Sequence, residues 1–259
     1  MEIHFLGTCS GTEPQPNRRH TALILEYQEK LFWFDAGESC GYTAHLLGLD
    51  LLQTEAVFVS HPHMDHIGGL PHLIWTLKKL ESLSKVPLRT EIDLYFPDLN
   101  IWYGLEKMLF LKGRTLKNGL GFCINLVTDG VIYAKNDLMV SAVHNLHLGK
   151  PESKENWQSF SFLIEAADKR IVYSGDFKTM RELEPLFVNE VDLLLVETGH
   201  HSVEEVCNYL VENQKPVGQL GFIHHGRAIL NNPEEEMKKA KTIFGSRVFF
   251  ADDKMSLTL

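Results

Sequence analysis

What is scarce in this sequence narrows its reading first. Its four cysteines, Cys9, Cys40, Cys123 and Cys207, lie far apart with no CxxC pair, which argues against a disulfide scaffold and against a cysteine-type zinc knuckle. A reducing cytoplasm is the compartment this pattern leads one to expect. No apolar run is long enough for a membrane span, and the opening MEIHFLGTCSG meets an acidic residue and then Gly7 too early for a signal peptide. It reads instead as a first β-strand. No Pro/Ser-rich linker or low-complexity block divides the 259 residues, so the expectation is one domain, 1–259. Positive charge is also short. Lys and Arg number 25 against 34 Asp and Glu, and the net charge of −9 makes the surface as a whole a poor partner for nucleic acid. A bound metal would reverse that sign locally.

Histidine, by contrast, is plentiful. Nine of the 13 fall in tight groups, at 61/63/66, 144/147, 200/201 and 224/225, while His4, His20, His45 and His72 are single and read as surface or capping residues. Around these groups short β-rich runs alternate with helical patterns. IHFLG, TALILEY, LFWFD and AVFVS precede the first group, with Gln28-Glu29 suited to a hairpin turn. Apolar residues at 67, 70, 73, 74, 77, 80 and 83 predict a helix over Ile67 to Leu83. IDLYF, FCINLV, LMVSAV, SFSFLIE, RIVYSGD, VDLLLVE, VGQLGFIH and RVFFA read as strands, and Val203 to Glu212 and Pro233 to Ile243 as helices. Two β-rich halves, each ending in helix, predict an α/β fold of two mixed sheets flanked by helices, a four-layer αβ/βα sandwich by analogy with known architectures.

The stretch VFVSHPHMDHIGGL packs three histidines and an aspartate into six residues between an apolar run and a helical pattern. In an extended segment His61 and His63 point the same way and can share one cation, while Asp65 and His66 turn into the helix and can face a second. Imidazole and carboxylate donors suit zinc, and also manganese, iron or nickel.

SHPHMDHIGGL resembles the signature of the metallo-β-lactamase superfamily, and FDAGE at 34–38, YSGD at 173–176 and FIHH at 222–225 follow in the order of that family's further motifs. The resemblance covers essentially the whole chain. It implies two divalent cations: one on His61, His63 and a histidine of the 144/147 group, the other on Asp65, His66 and a histidine of the 224/225 pair, with Asp176 bridging. His147 is preferred to His144 because it lies beyond LMVSAV, where a loop ligand would sit. Alternation along Leu220, Phe222 and His224 selects His224 over His225. Asp35 is expected to orient ligand histidines by hydrogen bonds rather than to bind metal.

Two such cations would lower the pKa of a shared water and polarise a substrate oxygen, and Asp65 is the expected catalytic residue managing the proton. Two dications offset by two carboxylates and a hydroxide leave a charge of about +1, which attracts an anionic phosphodiester. Within the superfamily FLGTCSGTEPQPNRRHTALIL and LFWFDAGES are similar to ribonuclease Z and related phosphodiesterases. That resemblance implies a hydrolase acting on a small nucleotide or an RNA end, and a homodimer. There are two departures. Val196 stands where ribonuclease Z has the histidine of its His-Glu-Ala-Thr box, with His200 or His201 as substitutes, and the segment from Leu83 to Asp137 lacks a long basic Gly/Pro-rich arm. Lys107, Lys112, Arg114 and Lys117 give that segment some charge, which a solvated helix face also explains. In ETGHHSVEEV, Ser202 and Glu205 read as a capping box. Hydrolysis of a lactone, thioester or β-lactam, and metal binding without turnover, are the alternative readings.

Overall fold

The computed structural model describes residues 1–84, 91–109, 121–152 and 155–259. Lys112, Arg114 and Lys117 of the basic segment lie outside the described residues. The chain forms two compact units, one from Met1–Gly7, Pro14–Val127 and Asp252–Leu259, the other from Thr8–Glu13 and Thr128–Ala251.

The first unit contains β1 (Glu2–Gly7), β2 (Ala22–Tyr27), β3 (Lys30–Phe34), α1 (Cys40–Leu46), β4 (Thr54–Phe58), α2 (Met64–Ile67), α3 (Leu70–Leu83), β5 (Glu91–Phe96), α4 (Asn100–Met108) and β6 (Gly121–Leu126). Its seven-stranded sheet is completed at one edge by the last strand of the chain, Ser256–Thr258, which pairs antiparallel with β1. From that edge the order runs through β1, β2, β3, β4, β5 and β6, antiparallel as far as β3 and parallel from β3 onward. Gln28 and Glu29 both have positive φ, 50° and 60°, so the β2–β3 connection is the two-residue turn whose twist matches its strands.

The expected helix over 67–83 is broken. Gly69 donates to Ala36 O at 2.8 Å, and a Cβ on it would lie 2.1 Å from Gly37 O. Backbone therefore approaches backbone where a side chain cannot fit, so a short α2 precedes α3. On α3 the residues Leu70, Leu73, Ile74 and Leu77 are buried with Ile24, Trp33, Val57 and Leu94 in one apolar core. Truncating one of these leucines to alanine costs about 2–5 kcal/mol.

The second unit holds β7 (Gly130–Lys135), β8 (Leu138–His144), β9 (Phe160–Ala166), β10 (Lys169–Tyr173), a 3₁₀ stretch at Met180–Leu186, β11 (Val191–Glu197), α5 (Val203–Glu212), β12 (Val217–Ile223), α6 (Arg227–Asn231), α7 (Pro233–Phe244) and β13 (Val248–Phe250); Ser256–Thr258, in the first unit, is β14. Its sheet runs β13-β12-β11-β10-β9-β8-β7, parallel over the first four strands and antiparallel over the rest. Each sheet is thus mixed and carries helices, as expected. Val206, Leu210, Ala240, Leu194, Leu220 and Phe222 meet in a second apolar core. Ser202 Oγ accepts from Glu205 N at 3.1 Å, the predicted cap of α5. Among the described residues no helix is long and apolar enough to cross a membrane.

His4 departs from its surface reading. It is buried, and its ring joins Ser256 Oγ at 2.8 Å to Glu26 Oε2 at 2.9 Å across three strands of the first sheet.

Candidate metal centre

Asp35, His61, His63, Asp65 and His66 belong to the first unit. All lie just beyond the C-terminal ends of parallel neighbours β3 and β4, the end at which parallel sheets leave room for ligands. Asp35 follows β3 with φ 57°, and its N–H bonds Phe58 O at 2.8 Å, which locks the two strand ends together. Its carboxylate is fully buried and fully used. Oδ1 accepts from Ser60 N at 2.7 Å, and Oδ2 accepts from Ser60 Oγ and from His66 Nδ1, both at 2.7 Å.

These bonds set the tautomers. A carboxylate only accepts, so His66 carries its proton on Nδ1 and presents the Nε2 lone pair. Ser60 Oγ donates its one proton in the hydrogen bond to Asp35, so it accepts from His61 Nδ1 at 3.0 Å, and His61 likewise presents Nε2. His61 Nε2 stands 3.1 Å from His63 Nδ1, and His66 Nε2 stands 3.4 Å from Asp65 Oδ2. Asp35 thus bonds His66 directly and, through Ser60, faces His61.

His147, Asp176 and His224 belong to the second unit. Asp176 lies three residues past β10 and is buried; its Oδ2 is 3.3 Å from His224 Nε2 and 3.7 Å from His147 Nε2. His144 is engaged elsewhere, with its Nδ1 bonded to Asp129 Oδ2 at 2.7 Å and its ring stacked on Trp157. His225 donates to Ala251 O at 2.7 Å. His224 is the member of its pair beside Asp176, but not by strand alternation, because β12 ends at Ile223 and His224 has φ 53°.

Two residues absent from the expected ligand set join this group. Glu197 and His200, with Asp176 and His224, offer ligand atoms that all lie within 4.8 Å of one another. His200 Nδ1 reaches both Glu197 oxygens, at 2.9 and 3.1 Å, and lies 3.7 Å from Asp176 Oδ2. Burial would raise the Glu197 carboxyl, but hydrogen bonds and charge from His200 and His224 outweigh it and hold the group well below the usual carboxylate range. The bond to Glu197 in turn raises His200 above the ordinary imidazole value. His201 is buried, stacked on Phe177 and bonded to Phe177 O and Glu205. The sequence signal for Glu197 was a carboxylate at the end of an apolar strand, followed two residues later by a glycine.

Donor chemistry fits divalent cations. Metal–nitrogen bonds of about 2.05 Å in a tetrahedral shell put neighbouring ligand atoms ~3.3 Å apart. Within the two units the donor pairs stand 3.1, 3.4, 3.3 and 3.7 Å apart.

A family model described as Anti-Pycsar protein Apyc1 matches residues 1–218. The chain belongs to that family. It is also similar to ribonuclease Z of Shouchella clausii, 34% identical over 174 residues, which are 65% of this chain and 49% of the relative. The chain spans about half the length of the curated relatives it first matches. Among solved structures it resembles the metallo-beta-lactamase fold protein YhfI from Bacillus subtilis, with TM-score 0.74 and 19% identity over 99% of this chain and 98% of the other. Human tRNase Z, short form, gives 0.72 and 19% over 100% and 99%. This member of the Apyc1 family therefore has the metallo-β-lactamase fold and is a relative of ribonuclease Z.

Proposed function

We propose that the chain is a binuclear metal-dependent hydrolase of phosphodiesters, acting on a small nucleotide or an RNA end, and that its two units work as one catalytic domain over 1–259. The observation that carries this reading is the set of donor pairs spaced like the edges of a cation's coordination shell. In this proposal His61, His63 and His147 hold one divalent cation, and Asp65, His66 and His224 hold a second, with Asp176 shared. The preferred ion is zinc, with manganese or iron as alternatives, because imidazole donors outnumber carboxylates.

When bound, the cations supply Lewis acidity and lower the pKa of water. The side chains do the rest. Asp65, partly open to solvent, accepts the proton of the attacking water as the catalytic residue. His200, half-exposed and held at Nδ1 by Glu197, gives a proton to the departing oxygen, the role left open where Val196 replaces ribonuclease Z's histidine. Asp35 keeps His66 in the tautomer that leaves Nε2 for metal. The substrate is anionic because the loaded centre carries net positive charge within an otherwise acidic protein.

The compartment proposed is the cytoplasm, supported by four unbridged cysteines, three of them buried. A homodimer is proposed from the ribonuclease Z resemblance; the exposed Tyr42, Leu46 and Trp75 on α1 and α3 are apolar surface that a second copy would cover.

The test is metal content by elemental analysis together with hydrolysis of bis-p-nitrophenyl phosphate, on the wild type and on Asp65→Ala. About two metals per chain, with turnover lost in the variant, is the expected outcome. Bound metal with turnover only on a lactone or thioester would overturn the phosphodiester assignment, and a chain that takes up no metal would overturn the enzyme.

A further inference from the structure

Beneath the second unit's ligands runs a buried polar chain whose inner members, Asn145, Ser161 and Ser174, have no part in the proposed reaction. It begins at the backbone of His147, whose N–H donates to Asn145 Oδ1 at 3.1 Å. Asn145 Nδ2 donates to Ser161 Oγ at 3.1 Å, and Ser161 Oγ donates to Ser174 O at 2.5 Å. Ser174 Oγ then accepts from Glu197 N at 3.1 Å and donates to Gly175 O at 2.6 Å, one residue before Asp176. Asn145, Ser161, Ser174 and Glu197 are each at most 1% exposed. The chain crosses β8, β9, β10 and β11 at the strand ends that carry His147, Asp176 and Glu197.

Its direction is determined by proton count. Ser161 has one hydroxyl proton and spends it on the Ser174 carbonyl, so toward Asn145 it can only accept. That requirement turns the Asn145 amide so that its Nδ2 faces Ser161 and its oxygen faces the His147 N–H. The loop around it is pinned independently at two more points. Asn145 N and Ser159 O join at 3.0 Å, and Leu146 N donates to Glu182 Oε2 at 2.9 Å. Glu182 also receives Lys178 N at 3.1 Å, from the segment just past Asp176.

We propose that Asn145 and Ser161 are positioning residues that couple the placement of His147 to that of Asp176, so that the ligand loop and the Asp176 turn are set as one piece. A buried network whose members are all satisfied holds one geometry, and a ligand displaced by a fraction of an ångström loses affinity before the fold is lost. Apolar residues would fill the same space without fixing the loop. The inference rests on the reading of His147 and Asp176 as metal ligands.

The experiment measures zinc affinity by competition with a chromophoric chelator, on full-length wild type, Ser161→Ala, Asn145→Ala and the double variant, with apo-protein melting recorded for each. Each single variant is expected to weaken one of the zinc equivalents about 10- to 100-fold, the loss typical of removing a partner that orients a ligand. The double variant is expected to be no weaker than the worse single, because both cut the same chain. Ser161→Thr keeps the hydroxyl and is expected to keep wild-type affinity. Should Asn145→Ala fail to fold, the Ser161 pair alone decides. Unchanged zinc affinity in Ser161→Ala, with or without a lower melting temperature, overturns the coupling while leaving the metal reading standing. Absence of zinc uptake by the wild type is the separate result that removes the reading beneath it.

Discussion

Asp35 Oδ2 and His66 Nδ1 meet at 2.7 Å with both side chains fully withdrawn from solvent. That bond joins the end of one strand to the helix turn after the next, and it decides which nitrogen of His66 remains available. Asp35→Asn keeps the shape but offers an N–H where an acceptor is needed. The expected result is a loss of metal affinity of about 10- to 100-fold, read by chelator competition. An unaltered affinity would show that His66 needs no orienting partner.

Gly199 is a steric requirement of a different kind. A Cβ there would fall 2.6 Å from both Cε1 and Nδ1 of His224, so Gly199→Ala must displace the ring. Gly104→Ala is the control, because its Cβ meets nothing within 4 Å on α4. Metal content should fall in the first variant only. In the second, melting should rise, by an amount corresponding to about 0.5–1 kcal/mol.

His200→Ala separates proton delivery from metal holding. The seven proposed ligands are untouched, so two metals per chain should remain while kcat falls about 100-fold or more with KM little altered. Elemental analysis beside steady-state kinetics checks it. Loss of metal in this variant would instead make His200 a ligand.

The pH dependence of stability has a traceable contributor at Glu184. Burial would raise this carboxyl, but the Lys215 ammonium and the Tyr209 hydroxyl bonded to it pull it below its ordinary 4.5. A depressed folded pKa contributes stability that is present above about pH 4.5 and is lost as pH falls through the lower folded value. The Glu184 side chain is 40% exposed, so screening keeps the effect to about 0.5–1 kcal/mol. Urea unfolding of Glu184→Gln should show that deficit at pH 7 and close it in strong acid. A deficit that persists unchanged in acid would assign the effect to packing.

Much of this architecture is legible from the residues alone. The hairpin at Gln28-Glu29 and the helix from Val203 to Glu212 are marked by local chemistry, a polar turn pair and a capping serine, which need no distant partner. What stays hidden depends on distance along the chain. His4 is buried because Glu26 and Ser256 come to it from 22 and 252 residues away. Helix α3 looks continuous with α2 because periodicity does not register Gly69 meeting Gly37. Helices α1 and α4, at Cys40–Leu46 and Asn100–Met108, have 7 and 9 residues, shorter than the stretch over which helical periodicity is read. Glu197 and His200 need the strand ends aligned before they can be seen beside Asp176.

The pairing of β1 with β14 has a consequence for how the chain is made. The partner of β1 is translated about 250 residues after it, with Ile3 opposite Leu257. At about 5–20 residues per second a ribosome takes roughly 10–50 s to pass from one to the other. Throughout that interval β1 presents an open hydrogen-bonding edge beside a nascent core. That edge of the first sheet is therefore open to wrong partners for the whole of that interval, and a chaperone would have the same interval in which to act.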